Sequence, residues 1–150
     1  MSDLNELKIE HPERLKPFHC ELLVPDAKIC DVEAVYAVFP LADGLIGILH
    51  GHAPMIGRIG GGPMTLTGPN GRLCQFYVAG GFVQVTRDRV MLLAEECIPA
   101  DKLDREKVWE ELEAVIKRPV STAQEGRDRL EAMATLRLKF SMAQQVAGKR

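Results

Sequence analysis

Residues 43–54 read Asp-Gly-Leu-Ile-Gly-Ile-Leu-His-Gly-His-Ala-Pro, and residues 78–85 read Val-Ala-Gly-Gly-Phe-Val-Gln-Val. Neither run pairs a nucleophile with a base. In both, glycines punctuate branched apolar residues, the composition of strands meeting at turns whose backbone shape other residues resist. Runs of this kind build a shaped surface that docks on something larger, and they direct attention away from catalysis on this chain.

Outward from these runs, the region from Phe18 to Cys97 consists of short apolar segments separated by turn residues. Phe18, Cys20, Leu22 and Val24 alternate with His19 and Glu21 until Pro25-Asp26 turns the chain. Further strands are expected over 29–39, 53–59, 63–67, 73–79, 82–86 and 89–95. Between them stand Gly60-Gly61-Gly62, Gly68-Pro69-Asn70-Gly71, Gly80-Gly81 and Arg87-Asp88. Asn70-Gly71 is a hairpin signal because both residues tolerate positive φ. Many short strands joined by regular turns predict a sandwich or barrel.

After Pro99 the period of the apolar residues changes. Asp101 or Asp104 can cap a helix in which Val108, Leu112, Val115 and Ile116 share a face. Pro119 interrupts it. Ser121 then opens a second helix, with Gln124 completing a capping box. In that helix Met133, Leu136, Phe140, Ala143 and Ala147 recur at spacings of three and four, downstream of Leu130. The expected organisation is α+β and mainly β: a polar extension over 1–17, a β domain over 18–100 and an antiparallel two-helix hairpin over 101–150.

Composition sets outer bounds. A chain of 150 residues with 46% apolar content suits a folded unit with an appendage, and a net charge of −2 supplies no field for nucleic acid or anionic lipid. No segment approaches the roughly 20 continuous apolar residues that span a bilayer. Asp3, Glu6, Glu10 and Glu13 make the first seventeen residues unlike a secretory signal or an Arg-rich transit peptide. Cys20, Cys30, Cys74 and Cys97 form no Cys-x-x-Cys pair and lie in or beside apolar runs. They read as small buried hydrophobes in a reducing compartment, not as a disulfide framework or zinc ribbon.

With these motifs in order, the chain resembles the ε subunit of F-type ATP synthase, called δ in mitochondria. The resemblance rests on an opening strand like 18–24, then Asp43-Gly44, Gly47-Ile48-Leu49 and Gly51-His52-Ala53-Pro54. It continues through Gly80-Gly81-Phe82-Val83 and Leu92-Leu93-Ala94-Glu95-Glu96, followed by two helices. It implies a ten-stranded β-sandwich at the foot of the γ subunit and on the c ring, part of the stalk that carries rotation to the α and β subunits. It further implies no catalytic residue, no metal and no nucleic-acid partner, and a peripheral location on the cytoplasmic side of the inner membrane, held there by the complex. Asp43, Gly44, Leu45, Ile46, His52, Gly80, Gly81 and Phe82 are the implied docking residues for γ and the c ring. Leu45 and His50 stand where many relatives carry Glu and Pro.

By the same resemblance, the helices can fold down or extend along γ and restrain ATP hydrolysis, with Arg127, Arg129, Arg137 and Lys139 as a basic face toward acidic partners. The competing account pairs those charges locally with Glu125, Asp128 and Glu131. No cofactor is expected beyond weak regulatory ATP, which in some relatives binds at the start of the first helix. Leu103, Asp104 and Lys107 occupy those positions, but lysine replaces an arginine that would grip phosphate with two hydrogen bonds. Asp104 reads equally well as a helix cap.

One motif suggests different chemistry. Gly44 with His50 and His52 matches the start of a cupin metal signature, in which two imidazoles face one side of a strand. A cupin-like metal enzyme is therefore the alternative reading. Its glutamate ligand is missing after His52, no histidine follows, and the nearest downstream charge is Arg58. Gly60-Gly61-Gly62 lacks the Lys-Ser/Thr of a phosphate loop. Trp109 is expected to anchor the first helix.

Overall fold

The computed structural model describes residues 9–148. Expectations that fall on residues 1–8 of the extension and on 149–150 of the tail lie outside the described residues. Within the extension, residues Pro12–Arg14 form a 3-10 turn entered through His11 at φ 64°.

Eight strands follow: β1 (Phe18–Val24), β2 (Ala27–Ala34), β3 (Tyr36–Leu41), β4 (Gly44–Ile48), β5 (Met55–Arg58), β6 (Gly62–Thr67), β7 (Leu73–Val85) and β8 (Arg89–Pro99). They pair in the order β2-β1-β8-β7-β6-β3-β4, with β5 also on β7. The β1–β8 pairing is parallel. Cys20 and Leu22 of β1 share one buried cluster with Phe39 of β3, Ile48 of β4 and Met64 and Leu66 of β6. β1 and β4 stand five places apart in that order, which in a flat sheet would separate them by about 24 Å. Their side chains touch one core because the sheet folds over on itself into two layers.

The sandwich expected from the sequence is present, but the described residues form eight strands in place of ten. Residues 73–86, read as two strands, are one. The first half of β7 pairs with β6 and the second half with β5. Gly80 and Gly81, at φ 70° and 90°, bend the strand between those partners without ending it. β8 likewise runs past Glu95 to Pro99. Conversely, the run 29–39 divides at Val35, whose N–H donates to the Thr67 carbonyl at 2.8 Å.

The chain parts into two compact units between Cys97 and Ile98. The second contains α1 (Arg105–Lys117) and α2 (Ala123–Ala147). Asp104, not Asp101, caps α1, its carboxylate accepting from Glu106 N at 3.0 Å and Lys107 N at 3.3 Å. The capping box of α2 lies one residue beyond the expected one. Thr122 accepts from Glu125 N at 3.1 Å, and Glu125 accepts from Thr122 N at 3.2 Å. Glutamate outcompetes Gln124 because its carboxylate also takes Ser121 N at 2.8 Å.

Val108, Leu112 and Val115 of α1 bury against Leu136 of α2, flanked by Ala132, Met133 and Phe140. The Trp109 ring meets Phe140 at 5.3 Å, and Trp109 Nε1 donates to Glu113 at 3.1 Å. Contacts of early α1 with late α2, and of Arg118 with Arg129, make the pair antiparallel. Among the described residues, no helix is long and apolar enough to cross a membrane.

Candidate docking surface

The glycine-punctuated runs 43–54 and 78–85 meet in the fold through a segment between them. Asp43 and Gly44 turn β3 into β4, and Leu41 bridges Ile59. Ala42 N donates to the Arg58 carbonyl at 2.9 Å, Gly60 N to the Pro40 carbonyl at 3.0 Å, and Ile59 N to the Gly81 carbonyl at 2.9 Å. Residues 58–60 therefore tie the Asp43-Gly44 turn to the Gly80-Gly81 bend. The sequence showed both ends of this arrangement but not the tie, because the pairing is set by tertiary register.

Register also decides which side chains face outward. Val83 and Val85 are buried, so Phe82 and Gln84 point away from the core. Their antiparallel partners Arg58 and Ile56 share that outer side. On β8, Leu92 and Ala94 are buried, which turns Leu93 outward beside its parallel partner Leu23. The result is an outer face carrying Leu23, Leu93, Phe82 and Ile56. Ile56 is 75% exposed, Phe82 59% and Leu93 52%. Large apolar groups gathered on one sheet face mark interaction sites more often than isolated ones do. Ile56, Leu93 and Arg58 were missed from the sequence. The alternation in 89–95 carried the signal for Leu93, but 55–58 is too short to show its phase.

The other expected residues divide. Leu45 is exposed, whereas Ile46, opposite Phe39, packs partly buried against the core. Ile46 therefore supports the turn more than it presents a contact. His52 Nδ1 bonds the Ala53 carbonyl at 2.8 Å, which fixes that nitrogen as the donor. Gly51 takes φ 84° and donates to the Arg87 carbonyl at 2.8 Å, holding the histidine turn against the β7–β8 connection.

The cupin alternative finds no support in this geometry. Among the described residues, the one group with three ligand atoms within 4.8 Å is His19, Glu21 and Asp31, without His50 or His52. That group is itself a charge network. Arg89 sits 3.1 Å from Glu21 and Lys28 3.0 Å from Asp31, and His19 reaches both carboxylates. The hydrogen bond from Lys28 lowers the Asp31 pKa, against a smaller opposing effect of desolvation. Two cations already neutralise the two acids, an environment that opposes a metal ion.

In the helical unit, the basic residues do not form one face. At about 100° per residue, Arg127, Arg129, Arg137 and Lys139 spread round α2. Arg129 turns toward the hairpin, donating from Nη1 to the Arg118 carbonyl at 3.3 Å, while Arg127 donates to Gln124 at 2.6 Å. Arg137 is exposed and Lys139 half-buried. The expectation of a basic face came from counting charges in the sequence without their rotation about the helix. Of the nucleotide set, Asp104 is occupied as the cap, Leu103 is half-buried and Lys107 is exposed.

Fold and surface together define a β-sandwich protein with an appended helical hairpin and an apolar outer sheet face. Residues 17–100 match the family model described as the ATP synthase Delta/Epsilon chain, beta-sandwich domain. The chain belongs to that ATP synthase family. It is 35% identical over 111 residues to the ATP synthase epsilon chain of Rhodopirellula baltica, covering 72% of this chain and 84% of the relative. It is 32% identical over 124 residues to that of Myxococcus xanthus, covering 83% and 82%. The fold is similar to a chain in the Euglena gracilis mitochondrial ATP synthase OSCP/F1/c-ring structure. There the TM-score is 0.65 at 17% identity, with 89% of this chain and 81% of that one covered. A chain in the Tetrahymena thermophila mitochondrial ATP synthase central stalk/c-ring structure gives 0.63 at 14%, covering 86% and 98%.

Proposed function

We propose that this chain is a non-catalytic subunit of the ATP synthase central stalk, docking by its sandwich on γ and the c ring and coupling ring rotation to the catalytic α/β hexamer. The single observation that carries the reading is the outer face of Ile56, Phe82 and Leu93, solvent-exposed apolar groups on a sheet whose core is already filled. A rotor part needs stiffness and adhesion, and a close-packed two-layer sheet with an apolar outer side supplies both. The Asp43-Gly44 turn with exposed Leu45 offers a second contact at the end of the sandwich. Attachment through these partners would hold the chain peripherally at the membrane.

The test replaces Ile56 and Phe82 together by serine and co-purifies the chain with γ. Because both side chains are exposed, the fold should persist while recovery of γ falls at least tenfold. Undiminished recovery would remove this face from the docking role.

The helical unit, with a hydrophobic cluster of its own, supports a regulatory role as a restraint on ATP hydrolysis. Deleting residues 104–150 should leave the complex assembled and raise its hydrolysis rate. An unchanged rate in the assembled complex counts against the restraint. Weak ATP binding near Asp104 is checked by titration calorimetry on the full chain, and absence of heat at millimolar ATP leaves Asp104 as a cap alone.

A further inference from the structure

All four cysteines, far apart in sequence, converge on the interior of the sandwich. Cys20 of β1 is buried, and Cys30 of β2, Cys74 of β7 and Cys97 of β8 pack half-buried against the same core. Cys30 stands opposite Leu22, and Cys74 stands opposite Leu66; both leucines are core residues. Partners directly opposite share a face, so both thiols occupy the inner sides of their strands.

β2 is a terminal strand of the sheet. Val32, two residues beyond Cys30 on the same side of β2, lines a cavity of about 380 Å³ with Leu66, Gly68 and Cys74. The β2 edge and the β6–β7 hairpin are thus two lips of one opening, with Cys74 on its wall. Cys30 interacts electrostatically with each of the other three thiols. Its pKa is raised first by burial and then by Cys74 and Asp31. Burial likewise pushes Cys20 up to about 12 and Cys97 up to about 11, in both cases with Cys30 as the next cause.

We infer that Cys30 and Cys74 are a redox-sensitive pair, which an oxidant of the hydrogen peroxide class closes to a disulfide across the open edge of the sandwich. Cys74, on the cavity wall, reacts first. Its thiolate sulfur attacks one peroxide oxygen, the O–O bond breaks, and the departing hydroxide takes a proton to leave as water. The sulfur of Cys30 then attacks the Cys74 sulfenic acid, forming the S–S bond and releasing a second water. Two thiols lose two electrons and two protons, and one peroxide becomes two waters.

A disulfide needs Cα atoms roughly 4.4–6.8 Å apart, and β2 has a place to give. The register slips between Leu22 and Leu23, whose partners are Cys30 and Lys28, so Ile29 is an unpaired bulge residue beside Cys30. A thiolate metal site fits less well, since the close ligand group found among the described residues contains no cysteine.

The test treats the reduced full chain with hydrogen peroxide at about pH 7 and about pH 9, then digests it with trypsin without reductant for mass spectrometry. The expected product joins the peptide of residues 29–58 to that of residues 73–87, two hydrogens lighter than their sum, within the monomer and reversed by dithiothreitol. It should form faster at the higher pH, because the thiolate is the attacking species and burial favours the protonated form of Cys30. Cys74→Ser should abolish the link, and Cys97→Ser should retain it. A monomer in which the two peptides stay separate, a link from Cys30 to Cys97 in its place, or a link confined to dimers would overturn the assignment.

Discussion

A Cβ at Gly81 would overlap the carbonyl oxygen of Leu93 and press to 3.2 Å from Ala94 Cα, at a φ of +90° that side chains rarely adopt. The neighbouring strand cannot yield there, because Leu92 and Ala94 on either side of Leu93 are buried in the core. Gly81→Ala should therefore destabilise the sandwich by about 3 kcal/mol through strain and displaced backbone. Urea unfolding followed by circular dichroism measures it. A loss below about 0.5 kcal/mol, the ordinary scale of surface changes, would mean the bend relaxes freely. Gly44, also at positive φ, has nothing within 4 Å of its added Cβ, so strain alone acts there.

The helical hairpin is a small element held by one cluster and two caps. Leu112 is 4% exposed at the centre of that cluster, and truncation to alanine should cost about 2–4 kcal/mol. Asp104→Ala removes two hydrogen bonds to the first turn of α1 and should cost about 1 kcal/mol. Hydrogen exchange distinguishes the two. Leu112→Ala should raise exchange along both α1 and α2, whereas Asp104→Ala should raise it only in the first turn of α1. Increased exchange in β7 or β8 after Leu112→Ala would show that the hairpin's packing is not its own.

At the scale of the whole molecule, among the described residues the sandwich cluster draws on no helical residue and the helical cluster on no strand residue. A fragment ending at Ala100 should therefore unfold in one cooperative transition, with a midpoint within about 0.5 M urea of the sandwich transition in the full chain. Loss of cooperativity in that fragment would tie sandwich stability to the helices.

Much of this architecture was legible from local patterns. The alternation of Phe18, Cys20 and Leu22, the turn residues at 68–71 and the spacing of Val108, Leu112 and Val115 act over a few residues, and the structure keeps them. Strand count was not legible at Gly80-Gly81, since a glycine pair permits both a turn and a bend within a strand. Only the partners on either side choose between them. The basic residues of α2 were countable in sequence but not orientable, because burial of Leu136 fixes the rotation of the helix. The amino-acid order by itself determined a β region, a helical pair and the motifs of a family. Tertiary structure alone decided that residues 58–60 join the runs 43–54 and 78–85, that Ile56, Phe82 and Leu93 share an outer face, and that four scattered cysteines pack on one core. Those relations depend on register between strands distant in the chain, and pairing over such distances is fixed by burial of the shared core, which no local pattern encodes.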